Sequence, residues 1–379
     1  MTSPQRLIAV AGILTFAFLG AIQALYGPLL PGLRAAFGVD ATAVGLIFTG
    51  HGLGALLGIF APSLLQSRML AARWLSVATG LLLAEAVALF LAPTWTAMLA
   101  AAFVLALGFG IHVVRLNSLF VAGFGASGMR MSLLINAAFS VGSILGPVVL
   151  GLSGEPTRRI FGAVAIVALV LMPLIVATDR KVGSLGAASA VPAADGPGEP
   201  QGWPGLLVAF VALMCLTSGV ENSIGGWTTT LALAHGYSFP EAANLTALFF
   251  GGILVGRLLA AGIGHRVPAG VLVIAAIGCM AVLLVIAATA VGPIAFALGG
   301  LAIAPIFSTT LVWVGAALPT SRHANALVIG GALLGSAVFP AMVGQVIGQF
   351  GPPGAPHAIL MLAIVSIGIA LWIQRTHRS

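Results

Sequence analysis

The chain has 379 residues, of which 60% are hydrophobic and only 6% are charged, and its mean hydropathy is +1.16. A water-soluble domain of this length needs far more surface charge, so the composition excludes a soluble globular protein and indicates an integral membrane protein. The net charge of +7 is spread over the loops and forms no stripe, which argues against nucleic-acid binding. The two cysteines, Cys215 and Cys279, lie in apolar segments and indicate neither a disulfide framework nor a thiolate metal site.

Twelve apolar segments are long enough to cross a bilayer as α-helices, which takes about 20 residues each. The sequence therefore predicts an all-α integral membrane protein with twelve transmembrane helices. The first segment could be mistaken for a signal peptide, but it has no small-residue cleavage site and runs into further spans, so we expect a mature helix. The predicted spans are 7–30, 41–62, 72–92, 95–122, 130–153, 158–178, 204–230, 240–262, 268–289, 291–316, 322–348 and 355–374.

The basic residues in the loops and at the ends of the spans predict the topology, because cytoplasmic loops of membrane proteins are enriched in Lys and Arg. With a cytoplasmic N-terminus, ten of these cations fall on the cytoplasmic side and three on the other. We therefore expect both termini inside a cell membrane, which is the inner membrane in a Gram-negative source. The ten are Arg6, Arg68, Arg73, Arg130, Arg180, Lys181, Arg266, Arg322, Arg375 and Arg378, and the three are Arg34, Arg158 and Arg159.

A stretch without apolar periodicity separates the sixth span from the seventh. It begins at Asp179 and continues in Gly, Ala, Ser and Pro as far as Gly202, a composition typical of a linker. We therefore predict an N-terminal six-helix bundle at 1–178, a cytoplasmic linker at 179–203 and a C-terminal six-helix bundle at 204–379.

The two predicted bundles repeat short patterns in the same order, which indicates a parallel duplication. Residues 142–151 of the fifth span match residues 335–344 of the eleventh at Gly, Ser, Pro and Gly. Gly54-x-x-x-Gly58 of the second span matches Gly252-x-x-x-Gly256 of the eighth. Small residues at this spacing favour close helix packing over a binding site.

The same duplication places equivalent residues before the second and eighth spans. Gly38 matches Gly236, and Asp40 matches Ser238. Asp40 and Ser238 are placed to cap the helices that follow, and Glu241 gives the second of these helices the spacing of a capping box.

Several local sequences resemble those of the major facilitator superfamily of secondary transporters, in particular its fucose-permease-like and sugar transporter branch. The resemblance extends over nearly the whole chain and implies two six-helix bundles that carry a substrate between them by alternating access. The segments that carry it are Ala24–Pro31, Asn136–Gly142, Gly225–Trp227, Leu248–Gly252 with Gly256–Leu259, and Gly300–Phe307.

The resemblance also implies gating roles for two arginines. Arg257 follows Gly256 in a context similar to the inner gate region of that superfamily, and Arg68 lies in the loop between the second and third spans. This loop departs from the family pattern because it has no acidic residue before its basic pair. By approximate alignment, the acids that sugar–proton symporters carry in the first and fourth helices fall near Gly27 and Val113, which are not acidic.

Two charged residues inside apolar spans are the leading candidates for a binding site. An ionised side chain at the centre of a spanning helix costs about 2.5 to 3.5 kcal/mol on insertion scales, so Arg115 and Glu221 are expected to be functional. Arg115 could bind a carboxylate, a phosphate or sugar hydroxyls, and Glu221 could bind a proton. The alternatives are that either residue lies near a helix end, or that the two form a permanent structural pair.

Uncharged or weakly basic residues complete the predicted site. His112 shares a helical face with Arg115, and Asn222 follows Glu221. Gln23 and Tyr26 lie one turn apart on the first span, which lines the cavity in the resembling family. Two further candidates are Trp227, as a stacking surface or an interfacial anchor, and His51, as a proton relay or a packing residue.

These observations predict a monomeric secondary transporter in the lipid bilayer. We expect its substrate to be a small polar solute, either a sugar or an organic anion, and the coupled ion to be a proton. The alternatives are proton-driven efflux of amphipathic compounds and a non-transporting receptor or assembly protein on the same fold. The sequence contains no phosphate-binding loop, metal-ligand spacing or catalytic constellation, so we expect no enzyme activity, metal or cofactor.

Overall fold

The computed structural model describes residues 3–65, 73–124, 127–184, 204–263, 266–319, 321 and 323–378. Within these residues twelve helical segments are long and apolar enough to span a membrane, as predicted, and their bounds agree with the predicted ones to within a few residues except at the first and seventh spans, which extend further. The helices are α1 (Ser3–Phe37), α2 (Ala41–Leu64), α3 (Trp74–Leu91), α4 (Trp95–Gly123), α5 (Gly128–Leu152), α6 (Ile160–Ser184), α7 (Pro204–Ala234), α8 (Phe239–Ile263), α9 (Ala269–Ala287), α10 (Gly292–Ile303), α11 (Ile306–Ala317), α12 (Ala324–Phe350) and α13 (Gly354–Arg378).

The tenth span is divided into two helices. α10 ends at Ile303 and α11 begins at Ile306, with Pro305 immediately before it. Proline has no backbone N–H and its ring clashes with the preceding turn, which accounts for the interruption. The described part of the chain contains no β-strand.

The predicted cap is present at the start of α2, and the Glu241 half of the predicted capping box is present at the start of α8. The Asp40 carboxylate accepts a hydrogen bond from the backbone N–H of Ala43 at 2.7 Å. The Glu241 carboxylate accepts hydrogen bonds from both the backbone N–H and the hydroxyl of Ser238, at 2.8 and 2.7 Å. The loops before these helices turn at Gly38 and Gly236, whose φ angles of 62° and 84° favour glycine.

The chain divides into two compact units. Unit 1 comprises residues 1–25, 50–146 and 157–195, and unit 2 comprises residues 26–49, 147–156 and 196–379. Unit 2 therefore contains the second part of α1, the first part of α2 and the end of α5 besides α7 to α13. The predicted bundle boundaries stay a prediction; residues 179–184 form the end of α6, and most of the predicted linker lies outside the described residues.

In unit 1 the closest helix packing occurs at small residues. A Cβ atom placed on Gly54 or Gly58 of α2 would overlap backbone carbonyls of α4. α3 packs against α4 and α6 through a continuous buried stripe, which includes Ala78, Leu82 and Leu89. Because lipid supplies no hydrophobic driving force between helices, such close approach maximises van der Waals contact.

Unit 2 repeats this packing with the matching glycines. Gly252 and Gly256 of α8 lie against the backbone of α10 near Gly300 and Leu301. α7 packs most extensively against α12 and also contacts α13 and α8. The glycine repeats therefore serve helix packing in both units, as predicted.

Candidate functional site

In unit 1 a buried charged cluster joins α3, α4 and α6. The Asp179 carboxylate accepts hydrogen bonds from the backbone N–H and hydroxyl of Ser76, at 2.7 and 2.6 Å. Arg115 of α4 interacts electrostatically with this carboxylate. Arg115 and Asp179 are only 8% and 6% exposed. The opposite charge that the structure provides for Arg115 is therefore an acid of its own unit, which the sequence analysis did not assign.

Asp179 also caps a helix. Ser76 lies in the first turn of α3, where backbone N–H groups have no partner within the helix. A carboxylate at this position satisfies such a group and interacts favourably with the positive end of the helix dipole. Asp179 is near the end of α6 and Ser76 is near the start of α3, whereas Arg115 lies two turns before the end of α4.

His112 lies one turn before Arg115 on α4 and is completely buried. Its Nδ1 is 2.9 Å from the carbonyl oxygen of Gly108, to which it donates, and its Nε2 is 3.0 Å from the Thr79 hydroxyl of α3. The Thr79 hydroxyl is also 3.0 Å from the carbonyl oxygen of Leu75. Both ring nitrogens thus have partners within unit 1, and the imidazole ties α4 to α3.

A group of uncharged polar side chains lies on α4 and α5 of unit 1. The Asn117 side-chain oxygen accepts hydrogen bonds from the Ser132 hydroxyl and the Asn136 amide, both at 3.3 Å. The Asn136 amide also donates to the carbonyl oxygen of Ser132 at 2.8 Å. Asn136 is exposed. These residues were not among those predicted for the site. Like Gln23, however, the two asparagines are amides inside an apolar span.

Asn136 lies opposite one apolar stripe of α5, and the exposed Leu133 lies about 60° from it around the helix. Val141, Leu145 and Val149 are about half exposed and form one stripe along that helix. At 100° per residue, Asn136 lies on the side of α5 opposite the centre of this stripe. An exposed amide opposite a lipid-compatible stripe is suited to an aqueous cleft. Gln23 of α1, in the same unit, is half-buried.

In unit 2 the intramembrane acid has a different partner. Glu221 of α7 is half-buried and interacts electrostatically with Arg257 of α8, which is exposed. Asn222 beside it donates to the Ser336 hydroxyl of α12 at 2.9 Å and to the carbonyl oxygen of Ser218. Glu221 and Arg257, which were predicted to have separate roles, are therefore within range of electrostatic attraction.

Aromatic residues close one region of unit 2. Trp227 is fully buried and its indole N–H donates to the carbonyl oxygen of Pro340 at 2.9 Å. Phe48 contacts both Trp227 and Tyr26, with ring centroids 6.3 and 6.4 Å apart. The Thr49 hydroxyl donates to the carbonyl oxygen of Ala337 at 2.7 Å. In this conformation Trp227 and Tyr26 are packed inside unit 2 and have no face available for stacking against a solute.

The two remaining predicted residues are His51 and Arg68. His51 of α2 is half-buried, and its ring lies edge-on to Phe109 with centroids 5.2 Å apart. Arg68 lies outside the described residues, so its gating role stays a prediction. Among the residues that the structure describes, no group of three His, Cys, Asp or Glu side chains could hold a metal ion.

Glu85 of α3 is a further buried ionisable residue, and it was not among the residues predicted for the site. It is 1% exposed, and neither carboxyl oxygen has a hydrogen-bond partner among the described residues. The sequence contained the signal, because Glu85 is an acid near the middle of the predicted third span.

Comparisons with known proteins agree on one family. The sequence profile of the Major Facilitator Superfamily matches residues 12–323. An uncharacterized MFS-type transporter of Yersinia pestis is 27% identical over 253 residues, which is 65% of this chain. The aligned region spans 63% of the length of that relative.

Solved structures with similar folds include several transporters. A D-xylose–proton symporter has a TM-score of 0.76 at 16% identity, with 98% of this chain and 97% of that chain covered. A nucleoside transporter has a TM-score of 0.76 at 14% identity, with 98% and 99% covered. A bacterial homologue of the human lysosomal transporter Spinster has a TM-score of 0.74 at 14% identity, with 99% and 98% covered. At these identities the similarity establishes the fold.

Proposed function

This chain belongs to the Major Facilitator Superfamily and is a multi-pass membrane protein, and on that premise we propose that it is a secondary transporter of a small, uncharged, polar solute such as a sugar. In this proposal the solute crosses the membrane by alternating access and is not chemically converted. A proton gradient drives its accumulation.

The observation that carries the choice of substrate is the partner of Arg115. An anionic substrate would need a cation whose charge is available, but Arg115 is buried beside Asp179. Separating them to bind an anion would leave a buried carboxylate without its counter-charge, which costs about 3 to 5 kcal/mol for a buried pair. This cost favours an uncharged solute over the organic anion that the sequence left open.

The side chains that remain for binding are mostly amides. In unit 1, Gln23 combines donor and acceptor groups, and Asn136 offers its side-chain oxygen as an acceptor because its amide already donates to Asn117 and Ser132. Both side chains suit the hydroxyl groups of a sugar. Asn136 is exposed on the side of α5 that faces away from its apolar stripe. Two proteins of the same fold are a D-xylose–proton symporter and a nucleoside transporter, so this fold accommodates uncharged polyhydroxyl solutes.

For proton coupling we propose Glu221, with His51 as a further candidate. The ionised form of Glu221 is stabilised by Arg257, and protonation would remove that attraction. A proton bound at Glu221 would therefore loosen α7 from α8. Arg257 would act in this step as the partner of Glu221, in keeping with its predicted gating role.

The experiment is a thermal stabilisation screen of the purified full-length chain in detergent. Sugars are compared in matched pairs with their uronic acids, which differ only by a carboxylate. A ligand that binds the folded state at 100 times its Kd stabilises it by about 2.7 kcal/mol. We expect at least one uncharged sugar or nucleoside to raise Tm while its carboxylate analogue does not. Stabilisation confined to the anionic members would contradict the proposal.

Uptake into proteoliposomes then tests the residues. We expect Asn136→Ala to raise KM about tenfold, which corresponds to one lost hydrogen bond of about 1.4 kcal/mol, with little change in maximal rate. The matched control is Val141→Ala, on the apolar stripe of the same helix. Equal KM values for the two variants would remove Asn136 from the site.

A further inference from the structure

Glu85 is the most isolated ionisable residue among those that the structure describes. Its side chain lies on the buried stripe of α3 that also includes Ala78, Leu82 and Leu89. Both carboxyl oxygens are inaccessible and have no hydrogen-bond partner among the residues that the structure describes. The proposed transport cycle makes no use of it.

The segments opposite Glu85 are entirely apolar. On α6, Met172 lies beside Gly80 and Gly162 lies beside Phe90, so residues 163–171 face the part of α3 that contains Glu85. On α4, Gly108 lies against Ala78, Leu81 and Leu82, so the residues before it face the same part. Residues 97–107 and 163–171 contain only Ala, Val, Leu, Ile, Met and Phe. Neither helix can offer Glu85 a side-chain hydrogen bond.

The charged and titratable groups on the neighbouring elements lie at other heights than Glu85 along the helix axis. Thr79, which contacts His112, precedes Glu85 by six residues, or about 9 Å at 1.5 Å per residue. Arg158 donates to the carbonyl oxygen of Ala92, about 10 Å in the other direction. The remaining groups are Arg115 on α4, the set Asp179, Arg180 and Lys181 at the end of α6, Arg159 beside Arg158, and His51 on α2.

An ionised carboxylate in this position would have neither water nor a counter-charge. The desolvation penalty of an isolated carboxylate in an apolar interior is far larger than that of a neutral carboxylic acid, so the group keeps its proton instead. We propose that Glu85 is a proton-binding site inside unit 1. It holds a proton while α3, α4 and α6 are packed as observed. It releases the proton only when the contact among these three helices, which we call the seam, opens to water.

The site differs from the proposed coupling residue Glu221 in a way that matters physically. Glu221 is half-buried and is attracted by Arg257, which partly offsets the cost of burying its ionised form. Glu85 has no such support, so its ionisation requires the helices to separate. Its proton therefore stabilises the packed arrangement of unit 1.

A hydrophobic carbodiimide tests the protonation state directly in the wild-type chain. The reagent reacts with a protonated carboxyl group: the acid proton passes to one carbodiimide nitrogen and a carboxyl oxygen bonds to the central carbon. The resulting O-acylisourea rearranges to a stable N-acylurea, which peptide mass spectrometry locates. The full-length protein in proteoliposomes is labelled with N,N′-dicyclohexylcarbodiimide between pH 5 and pH 8.

The internal control is Glu155, an exposed carboxyl in the loop between α5 and α6. A glutamate with an ordinary pKa of about 4.3 is protonated in roughly one molecule in five thousand at pH 8. Because burial limits the access of the reagent to Glu85, the pH dependence of the two labelling rates is compared and not their size. The rate at Glu85 should stay flat from pH 5 to pH 8, whereas the protonated fraction of a glutamate with the ordinary pKa falls about tenfold per pH unit over this range.

Two variants at position 85 test whether Glu85 binds a proton when the protein folds. Glu85→Gln imitates the protonated form and should fold normally, and Glu85→Leu should fold at least as well because it removes an unsatisfied polar group. Titrating the proton uptake that accompanies refolding at pH 7 should show about one proton fewer for either variant than for wild type. Labelling of Glu85 that follows the pH profile of Glu155, or equal proton uptake by all three proteins, would overturn the proposal. Neither readout needs a transported solute, so failure of the sugar screen would leave this test intact.

Discussion

Units 1 and 2 repeat the same backbone contact but differ in how they use polar residues. A Cβ placed on Gly142 of α5 would overlap the carbonyl oxygen of Ala17 on α1, and a Cβ on Gly335 of α12 would overlap that of Cys215 on α7. The serine after each glycine donates to the carbonyl oxygen four residues earlier in both helices. The duplicated positions therefore keep the helix spacing that both units need.

The polar residues have diverged around this common framework. Unit 1 contains the buried Arg115–Asp179 cluster, His112 and the isolated Glu85. Unit 2 has Glu221 beside an exposed Arg257, and its region around Trp227 is closed by aromatic rings. Buried charges that satisfy one another fix helices in place, whereas a half-buried pair can change its protonation. We therefore expect the Arg115–Asp179 cluster to hold helices in place, and we expect the proposed change of protonation in unit 2 to occur at Glu221.

The largest effect is expected from filling the shared close contact. Gly142→Val and Gly335→Val should each prevent the α1–α5 or α7–α12 approach and destabilise the fold by about 3 kcal/mol or more. The yield of monodisperse protein and its Tm measure this loss. Gly330→Ala, on α12 with no atom within 4 Å of the added methyl group, is the control and should behave as wild type. A tolerated valine at one position only would show that the two contacts are not equivalent.

Removing one charge from the unit 1 cluster should have the next largest effect on stability. Arg115→Ala and Asp179→Ala each leave the other ion buried and should cost about 3 kcal/mol. The double variant should be less destabilised than the sum of the single variants, because neither charge is then stranded. Thermal unfolding of all four proteins gives the coupling energy. Strict additivity would mean that the two residues do not interact, and would reopen Arg115 as a substrate ligand.

The unit 2 pair is tested by function. Glu221→Gln keeps the size of the side chain but cannot ionise, so we expect it to abolish proton-driven accumulation while counterflow exchange continues. The matched control is Glu241→Gln, at the helix cap on α8. Radiolabelled solute uptake with and without an imposed pH gradient measures both. Retained accumulation in Glu221→Gln would place the coupling proton elsewhere, and His51→Asn would then be the next variant.

The smallest effect is expected for the aromatic region of unit 2. Trp227→Phe keeps an aromatic ring against Phe48 but loses the hydrogen bond to the carbonyl oxygen of Pro340. The lost bond should cost about 1 kcal/mol, or a few degrees in Tm. A drop as large as that of the glycine variants would show that packing of the indole, and not its hydrogen bond, holds α7 to α12.

Much of the fold could be predicted because bilayer thickness sets the length of an apolar helix. The twelve spans, the caps at Asp40 and Ser238 and the glycine repeats all rest on local or periodic patterns. The partners of the buried charges could not be predicted in this way. Arg115 and Asp179 are 64 residues apart, and nothing in either segment indicates that α4 and α6 approach each other at that level.

The sequence by itself determined a twelve-span membrane protein with repeated glycine contacts, because apolar length and glycine spacing are properties of short segments. Only the tertiary structure decided that Arg115 lies beside Asp179, that Glu221 lies beside Arg257, and that Glu85 lies in an apolar seam. Electrostatic and hydrogen-bond partners are set by which helices pack together and at what height. In a chain with so few charged residues, helix packing determines whether an ionisable side chain is fixed by a partner or is able to bind a proton.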